Sequence, residues 1–117
     1  MRLTIHGDLP GLNEYTAACR THPKAGARMK ADAEAIILPQ LAGVPPIAGP
    51  VRVACEWHTK DRRRDPDNIA FARKFLLDAM VTAGVLAGDG RRHILGFSDE
   101  FAVSKSDPRV VVTLDAS

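Results

Sequence analysis

The sequence predicts a small mixed α/β domain in which two main helices cover one β-sheet. Two patterns favour this class. Segments that alternate between apolar and polar residues, as half-buried strands do, occur near the start, in the middle and at the end of the chain. Segments with apolar residues at helical spacing separate them. The length of 117 residues, of which 45% are hydrophobic, suits a single domain, residues 1–117, with one modest core.

The first predicted elements are a strand and a helix. The opening RLTIHG alternates, with Leu3 and Ile5 on one side, and the loop GDLPGLN ends it. A helix is predicted from about residue 23 to residue 38, because Pro23 suits a first turn. Apolar residues recur there at helical spacing, at Ala25, Met29, Ala33 and Ile36 or Ile37. The following PQLAGVPPIAGP is a connection, since it holds four prolines and two glycines in twelve residues.

The central strand and helix have the clearest patterns. VRVACEWH alternates throughout, which places Val51, Val53, Cys55 and Trp57 on one face. NIAFARKFLLDAMVTAG carries an apolar stripe of helical period and ends at Gly84, a typical C-terminal cap. The stripe consists of Ile69, Ala72, Leu76, Ala79, Met80 and Ala83.

The last third of the chain is predicted to return to the sheet. VLAGDGRR is a glycine-rich loop, and HILGF and FAVSKS are strand segments. After the SDP turn, RVVVTL is the closing strand. The complete order is strand, helix, strand, helix and then two or three strands.

The overall charge gives little support to nucleic-acid binding, because 16 Lys and Arg against 14 Asp and Glu leave a net charge of +2. Basic residues do cluster in three segments, each of which can be a binding surface or a solvated face. Cys19 and Cys55 lack metal-binding spacing, so neither a disulfide framework nor a zinc site is indicated. The N-terminus lacks a signal-peptide pattern and no apolar run is long enough to span a membrane. We therefore expect a cytoplasmic protein.

The stretch DRRRDPDN, residues 61–68, combines three arginines with three aspartates. Asp65 and Asp67 flank Pro66, whose fixed backbone angle stiffens the exit from the strand. Alternate side chains of an extended segment point the same way, so the two carboxylates can converge on one hard cation. The alternative is structural, because Asp67 or Asn68 can cap the following helix without any metal.

Three residues further along the chain could join these acids. Lys74 and Asp78 share a helix face with Asp67, although they could also form an ordinary i,i+4 ion pair. Asp89 lies between two glycines, which is typical of a tight turn, but its position after the helix allows it to return near Asp65. Three carboxylates beside arginines and a lysine suit a phosphodiester held on Mg²⁺, with Mn²⁺ as a substitute.

The run DRRRDPDNIAFARKFLLDAMVTAGVLAGDGRRHI resembles the RusA-type crossover-junction endodeoxyribonucleases, also called Holliday junction resolvases. The shared features are Asp-x-Asp-Asn, a lysine, Leu-Asp-Ala, Ala-Gly-Val and a late aspartate. LPGLNEY and GARMK are similar to phage-associated members. The resemblance implies a RusA-like α/β fold and a homodimer that makes paired symmetric nicks in four-way DNA junctions. A two-fold dimer suits this substrate, because a junction offers two equivalent strands.

The resemblance also implies roles for individual residues. Asp65, Asp67 and Asp89 correspond to the family's Mg²⁺-binding acids, and Lys74 corresponds to its essential lysine. Arg64 matches a basic position of the motif and is the predicted contact to a phosphate of the scissile region. Further candidates for DNA binding are Arg62, Arg63, Arg28 and Lys30.

The chain departs from the family pattern at two points. Lys74 stands six residues after Asn68, three more than in shorter members. Three extra helical residues rotate a side chain by roughly 300°, so Lys74 can still face the site one turn further along. Gly88 precedes Asp89 where many members have a second acid. Two other classes stay open: a dimer that binds branched DNA without cutting it, and a surface-charged domain with no nucleic-acid role.

Overall fold

The computed structural model describes residues 1–116. Its strands are β1 (Arg2–His6), β2 (Val51–Thr59), β3 (Ile94–Val103) and β4 (Arg109–Ala116). Its α-helices are α1 (Leu12–Thr21), α2 (Ala25–Ile37), α3 (Pro66–Ala70) and α4 (Arg73–Thr82), and a short 3-10 helix, Leu38–Leu41, follows α2. The mixed α/β class that the sequence predicts is confirmed.

The four strands form one sheet in the order β1-β4-β2-β3. β4 pairs antiparallel with both β1 and β2, whereas β3 runs parallel to β2 at the edge of the sheet. Parallel neighbours need a crossover connection, which α3 and α4 supply. β3 therefore starts beside Val51, at the end of the sheet where β2 also starts. The residues that precede β3 must therefore lie at this same end of the sheet.

The core lies between the sheet and the helices. β2 buries the face that its alternation predicts, Val51, Val53, Cys55 and Trp57. Burial raises the pKa of the Cys55 thiol to about 12, and the nearby negative charge of Asp99 adds to this rise. Helices α2 and α4 cover this face, and their most completely buried residues are Ala33, Ile37, Phe75, Leu76, Ala79 and Met80.

Several elements differ from the sequence prediction. Helix α1 was not expected, and it buries none of its own residues. The helix predicted from residue 68 onward is split into α3 and α4, because hydrogen bonds to the third preceding residue tighten the turn at Phe71 and Ala72. The predicted segments HILGF and FAVSKS both contribute to one strand, β3, but His93 and residues 104–106 lie outside it. Gly84 ends α4 with a positive φ of 78°, as predicted.

The helices have modest length. Within residues 1–116, none is long and apolar enough to cross a membrane.

Candidate functional site

The loop after β2 carries DRRRDPDN to the end of the sheet where β2 finishes. Asp65 has an extended backbone with ψ 155° and immediately precedes α3. Pro66 opens the helix, and Asp67 lies in its first turn. The sequence suggested an extended segment that includes both Asp65 and Asp67. In the structure this segment ends at Asp65, and Asp67 is helical. Helix geometry, and not strand alternation, sets the relation between the two carboxylates.

Asp65 and Asp67 are both exposed. Asp65 makes no capping hydrogen bond with its side chain. Oδ1 of Asp67 accepts a hydrogen bond from the adjacent backbone N–H of Asn68, at 2.9 Å. No Lys, Arg or His nitrogen of residues 1–116 lies within 4.0 Å of either carboxylate. Both groups can therefore accept a cation without breaking an existing ion pair.

Asn68 has a structural role that the sequence did not reveal. Its side chain is buried, and its Oδ1 accepts a hydrogen bond from the backbone N–H of Asn13, at 2.8 Å. This bond satisfies a first-turn donor of α1, so Asn68 caps α1 and not its own helix. Gly11 makes the close approach possible, because a Cβ there would lie 2.6 Å from Oδ1 of Asn68. The motif asparagine thus fixes α3, which carries Asp67, against α1.

Replacement of Asn68 by alanine is expected to lower the free energy of unfolding by about 1–2 kcal/mol, because it leaves a first-turn donor of α1 without its partner. The measurement is urea denaturation followed by circular dichroism. Asn13→Ala is the matched control: Asn13 is exposed and contributes its backbone to the bond, so its variant should stay within about 0.5 kcal/mol of wild type. Equal stabilities for the two variants would contradict the capping role.

Asp89 lies at the other end of the sheet from Asp65 and Asp67. It precedes β3 by a tight turn, and the carbonyl of His93 in that turn accepts a hydrogen bond from the backbone N–H of Val51, at 2.9 Å. Asp89 therefore lies near the start of β2. The nine residues of β2 span about 26 Å, and this length separates Asp89 from the residues that follow the strand. Within residues 1–116, no three Asp, Glu, His or Cys side chains form a metal-binding group. The expectation that one chain brings the three aspartates together is not met.

Lys74 and Lys30 share the carboxylate of Asp78. The ammonium of Lys74 donates to Oδ1 at 3.3 Å, and Lys30 of α2 lies 3.0 Å from Oδ2. Burial alone raises the pKa of Asp78, but hydrogen bonds from Lys30 and Lys74, together with their charges, outweigh it and lower the pKa. The same contact raises the pKa of Lys30. Lys30 and Asp78 therefore pair α2 with α4. The exposed Lys74 lies on α4 and Asp67 on α3, so the two residues do not share one helix face.

The arginines of the loop differ in how far they are already engaged. Arg64 is mostly buried and donates hydrogen bonds to Asp8 at 2.9 Å and to the carbonyl of Leu9 at 3.1 Å. Arg63 lies 3.8 Å from Asp61. Arg62 is exposed, and no carboxylate of residues 1–116 lies within 4.0 Å of it. Arg62 is thus a more accessible phosphate contact than Arg64, which anchors the loop to the segment after β1.

Arg28, the remaining basic candidate, is exposed on α2 and has no carboxylate partner within residues 1–116. It lies on a different element from the loop, so it could contact only a ligand that extends over α2. The site proper consists of two carboxylates and an arginine at one end of the sheet, none of which is paired within the part of the chain that the structure describes. Neither the known protein-family models nor the curated proteins contain a match to this chain.

Proposed function

We propose that this chain is a Mg²⁺-dependent, structure-selective DNA endonuclease of the RusA type, which nicks four-way junctions during recombination, repair or phage DNA processing. The observation that carries the proposal is that Asp65, Asp67 and Arg62 are exposed residues of one short segment and that none of the three has an ion-pair partner within residues 1–116. Uncompensated carboxylates next to a phosphate-binding arginine would weaken DNA binding unless a cation joins them. The resemblance in the DRRRDPDN run supports the same reading.

The donor set fits Mg²⁺. This ion is commonly held by one or two carboxylates, with waters and substrate phosphates completing its octahedron. Asp65 and Asp67 would supply the carboxylates. When bound, Mg²⁺ lowers the pKa of water and neutralises charge on the phosphate.

The chain's own side chains would position the substrate and stabilise its charge. Arg62 would hold a phosphate next to the scissile one, and Arg64 would keep the loop in place through Asp8. The ammonium of Lys74 would break its hydrogen bond with Asp78 and stabilise the negative charge that develops on the phosphate. Water attacks phosphorus in line, the bond from phosphorus to the 3′ oxygen breaks, and that oxygen takes up a proton. The products are a 3′-hydroxyl and a 5′-phosphate.

The enzyme is proposed to act as a homodimer. A single chain separates Asp89 from Asp65 and Asp67 by most of the length of β2. A two-fold axis can orient the sheets of two subunits in opposite directions. The end of one sheet that carries Asp89 can then lie next to the end of the other that carries Asp65 and Asp67. In this arrangement the partner's Asp89 would complete the acidic set of each site. Two equivalent sites then face the two equivalent strands of a junction.

The direct test uses an immobile four-way junction and a linear duplex with the same arm sequences, each end-labelled on one strand at a time. We expect paired nicks near the branch in Mg²⁺, no nicks in EDTA, and little cleavage of the duplex. Junction binding without product in either Mg²⁺ or Mn²⁺ would support the non-cleaving binding dimer instead. Equal, weak affinity for junction and duplex at low salt would exclude both functions.

A further inference from the structure

An open groove runs between the DRRRDPDN loop and the second half of β3. Its volume is about 240 Å³, slightly below the range of about 300–1,000 Å³ that is typical of pockets for whole drug-sized ligands, so it suits a single flat group that stays partly in solvent. Pro66, which stands between the two proposed metal-binding aspartates, forms part of its wall. The groove therefore adjoins the proposed nuclease site. Its other lining residues are Thr59, Asp61, Arg62, Arg64, Ile69, Phe101, Ala102 and Val103.

One side of the groove is basic. Arg62 is exposed and unpaired within the described residues, as noted above. The single carboxylate in the wall, Asp61, already accepts a hydrogen bond from the backbone N–H of Arg63 at 3.0 Å, and the Arg63 guanidinium lies 3.8 Å away. Arg64 is tied to Asp8. Within residues 1–116, Arg62 is thus the arginine of the groove without an ion-pair partner, and the charge of Asp61 is largely neutralised by Arg63.

The opposite side is apolar and aromatic. Phe101 and Val103 on the outer strand β3 are 41% and 45% exposed. Within residues 1–116, no ring or cation is stacked on Phe101. Phe97 is similarly exposed on the same strand, but the Arg73 guanidinium already covers its ring at 4.0 Å from the centroid. Among the described residues, Phe101 therefore offers an uncovered aromatic face in the same groove as Arg62.

We propose that this groove binds one unstacked nucleotide at the branch point of the DNA, with its base on the ring of Phe101 and its phosphate on Arg62. The inference rests on the proposed nuclease function and adds a basis for its substrate selectivity. Aromatic platforms beside a basic groove are the common way in which proteins bind unpaired strands. A base next to the branch point has a stacking neighbour on one side only when the arms are unstacked, so its transfer to Phe101 then costs less free energy than extrusion from a continuous duplex.

The charge of the groove favours a nucleotide over a protein partner. An unpaired guanidinium loses its hydration when a partner covers it, and only a partner that brings a negative charge compensates for that loss. A phosphate neutralises that guanidinium, and a base covers the neighbouring ring. The two halves of a nucleotide thus match the two sides of the groove.

The test is a double-mutant cycle between the protein and the DNA, read as equilibrium binding without divalent metal. Phe101→Ala should weaken junction binding by about ten-fold and leave duplex binding within two-fold of wild type. Junctions that carry one abasic nucleotide, placed in turn at each position next to the branch, provide the other half of the cycle. At one position, removal of the base should weaken wild type by a similar factor and have no further effect on Phe101→Ala.

Phe97→Ala is the matched control, because it removes a ring of equal size from the same strand outside the groove; it should bind junctions as wild type does. Phe101→Trp should retain affinity, since it keeps an aromatic platform. Absence of coupling at every abasic position would overturn the inference. So would a Phe101→Ala protein with altered sedimentation, because the groove would then be a contact between subunits.

The cycle separates this inference from the proposed function. Wild type that binds junctions and cuts them in Mg²⁺, but shows no coupling to Phe101, would overturn the base-stacking inference alone. Wild type that does not prefer junctions to duplex would overturn both.

Discussion

Asp67→Asn is expected to nick four-way junctions at least about 10²-fold more slowly than wild type in Mg²⁺, because a metal ligand that stabilises transition-state charge contributes several kcal/mol. Binding in EDTA should be unchanged or tighter, since the substitution removes a negative charge that faces phosphates. The measurement is a single-turnover nicking assay beside a binding titration. This opposite response of rate and affinity distinguishes a metal ligand from a residue that only supports the fold.

Asp32→Asn is the matched control for this substitution. Asp32 is also an exposed aspartate without an ion-pair partner within residues 1–116, but it lies on α2. Its variant should nick within about two-fold of wild type, as is usual for surface substitutions away from a site. A wild-type rate for Asp67→Asn would remove Asp67 from the site.

Mixing two inactive variants should restore activity if the sites are shared between subunits. Asp67→Asn and Asp89→Asn would each be inactive alone. In a mixed dimer, one site would combine both substitutions and the other would have none. Random exchange makes about half of the dimers mixed, so about a quarter of the wild-type sites should be regained.

The alternative predicts a different result. If each chain formed its own site, every chain in the mixture would carry one defect and no activity would return. Sedimentation of a size-tagged variant confirms that subunits have exchanged. Exchanged dimers that stay inactive would exclude the shared site, and full activity of Asp89→Asn alone would exclude Asp89 from the chemistry.

Strand alternation and helix period predicted the layers of this fold well. β2 buries one face as its alternation indicates, because a half-buried strand must place every second side chain in the core. Helix α1 escaped prediction because it has no buried stripe to reveal it. The break between α3 and α4 has no proline or glycine at Phe71 or Ala72 to announce it. Such features depend on tertiary packing.

The position of Asp89 is a consequence of the topology, which the predicted order of the elements already implies. A helix between two neighbouring strands favours a parallel pair, and a parallel pair returns the chain to the starting end of the first strand. Residues just before β3 must then lie away from the residues just after β2. The role of Asn68 gave no comparable signal, because its partner, the backbone of Asn13, lies 55 residues away along the chain.

The most direct test of the metal site is a crystal of the protein soaked in Mn²⁺ and measured at an X-ray wavelength where manganese scatters anomalously. We predict an anomalous peak in contact with the carboxylates of Asp65 and Asp67, with the partner subunit's Asp89 turned towards the same ion. A map with no peak at these two carboxylates, under conditions in which the protein nicks junctions, would contradict the account.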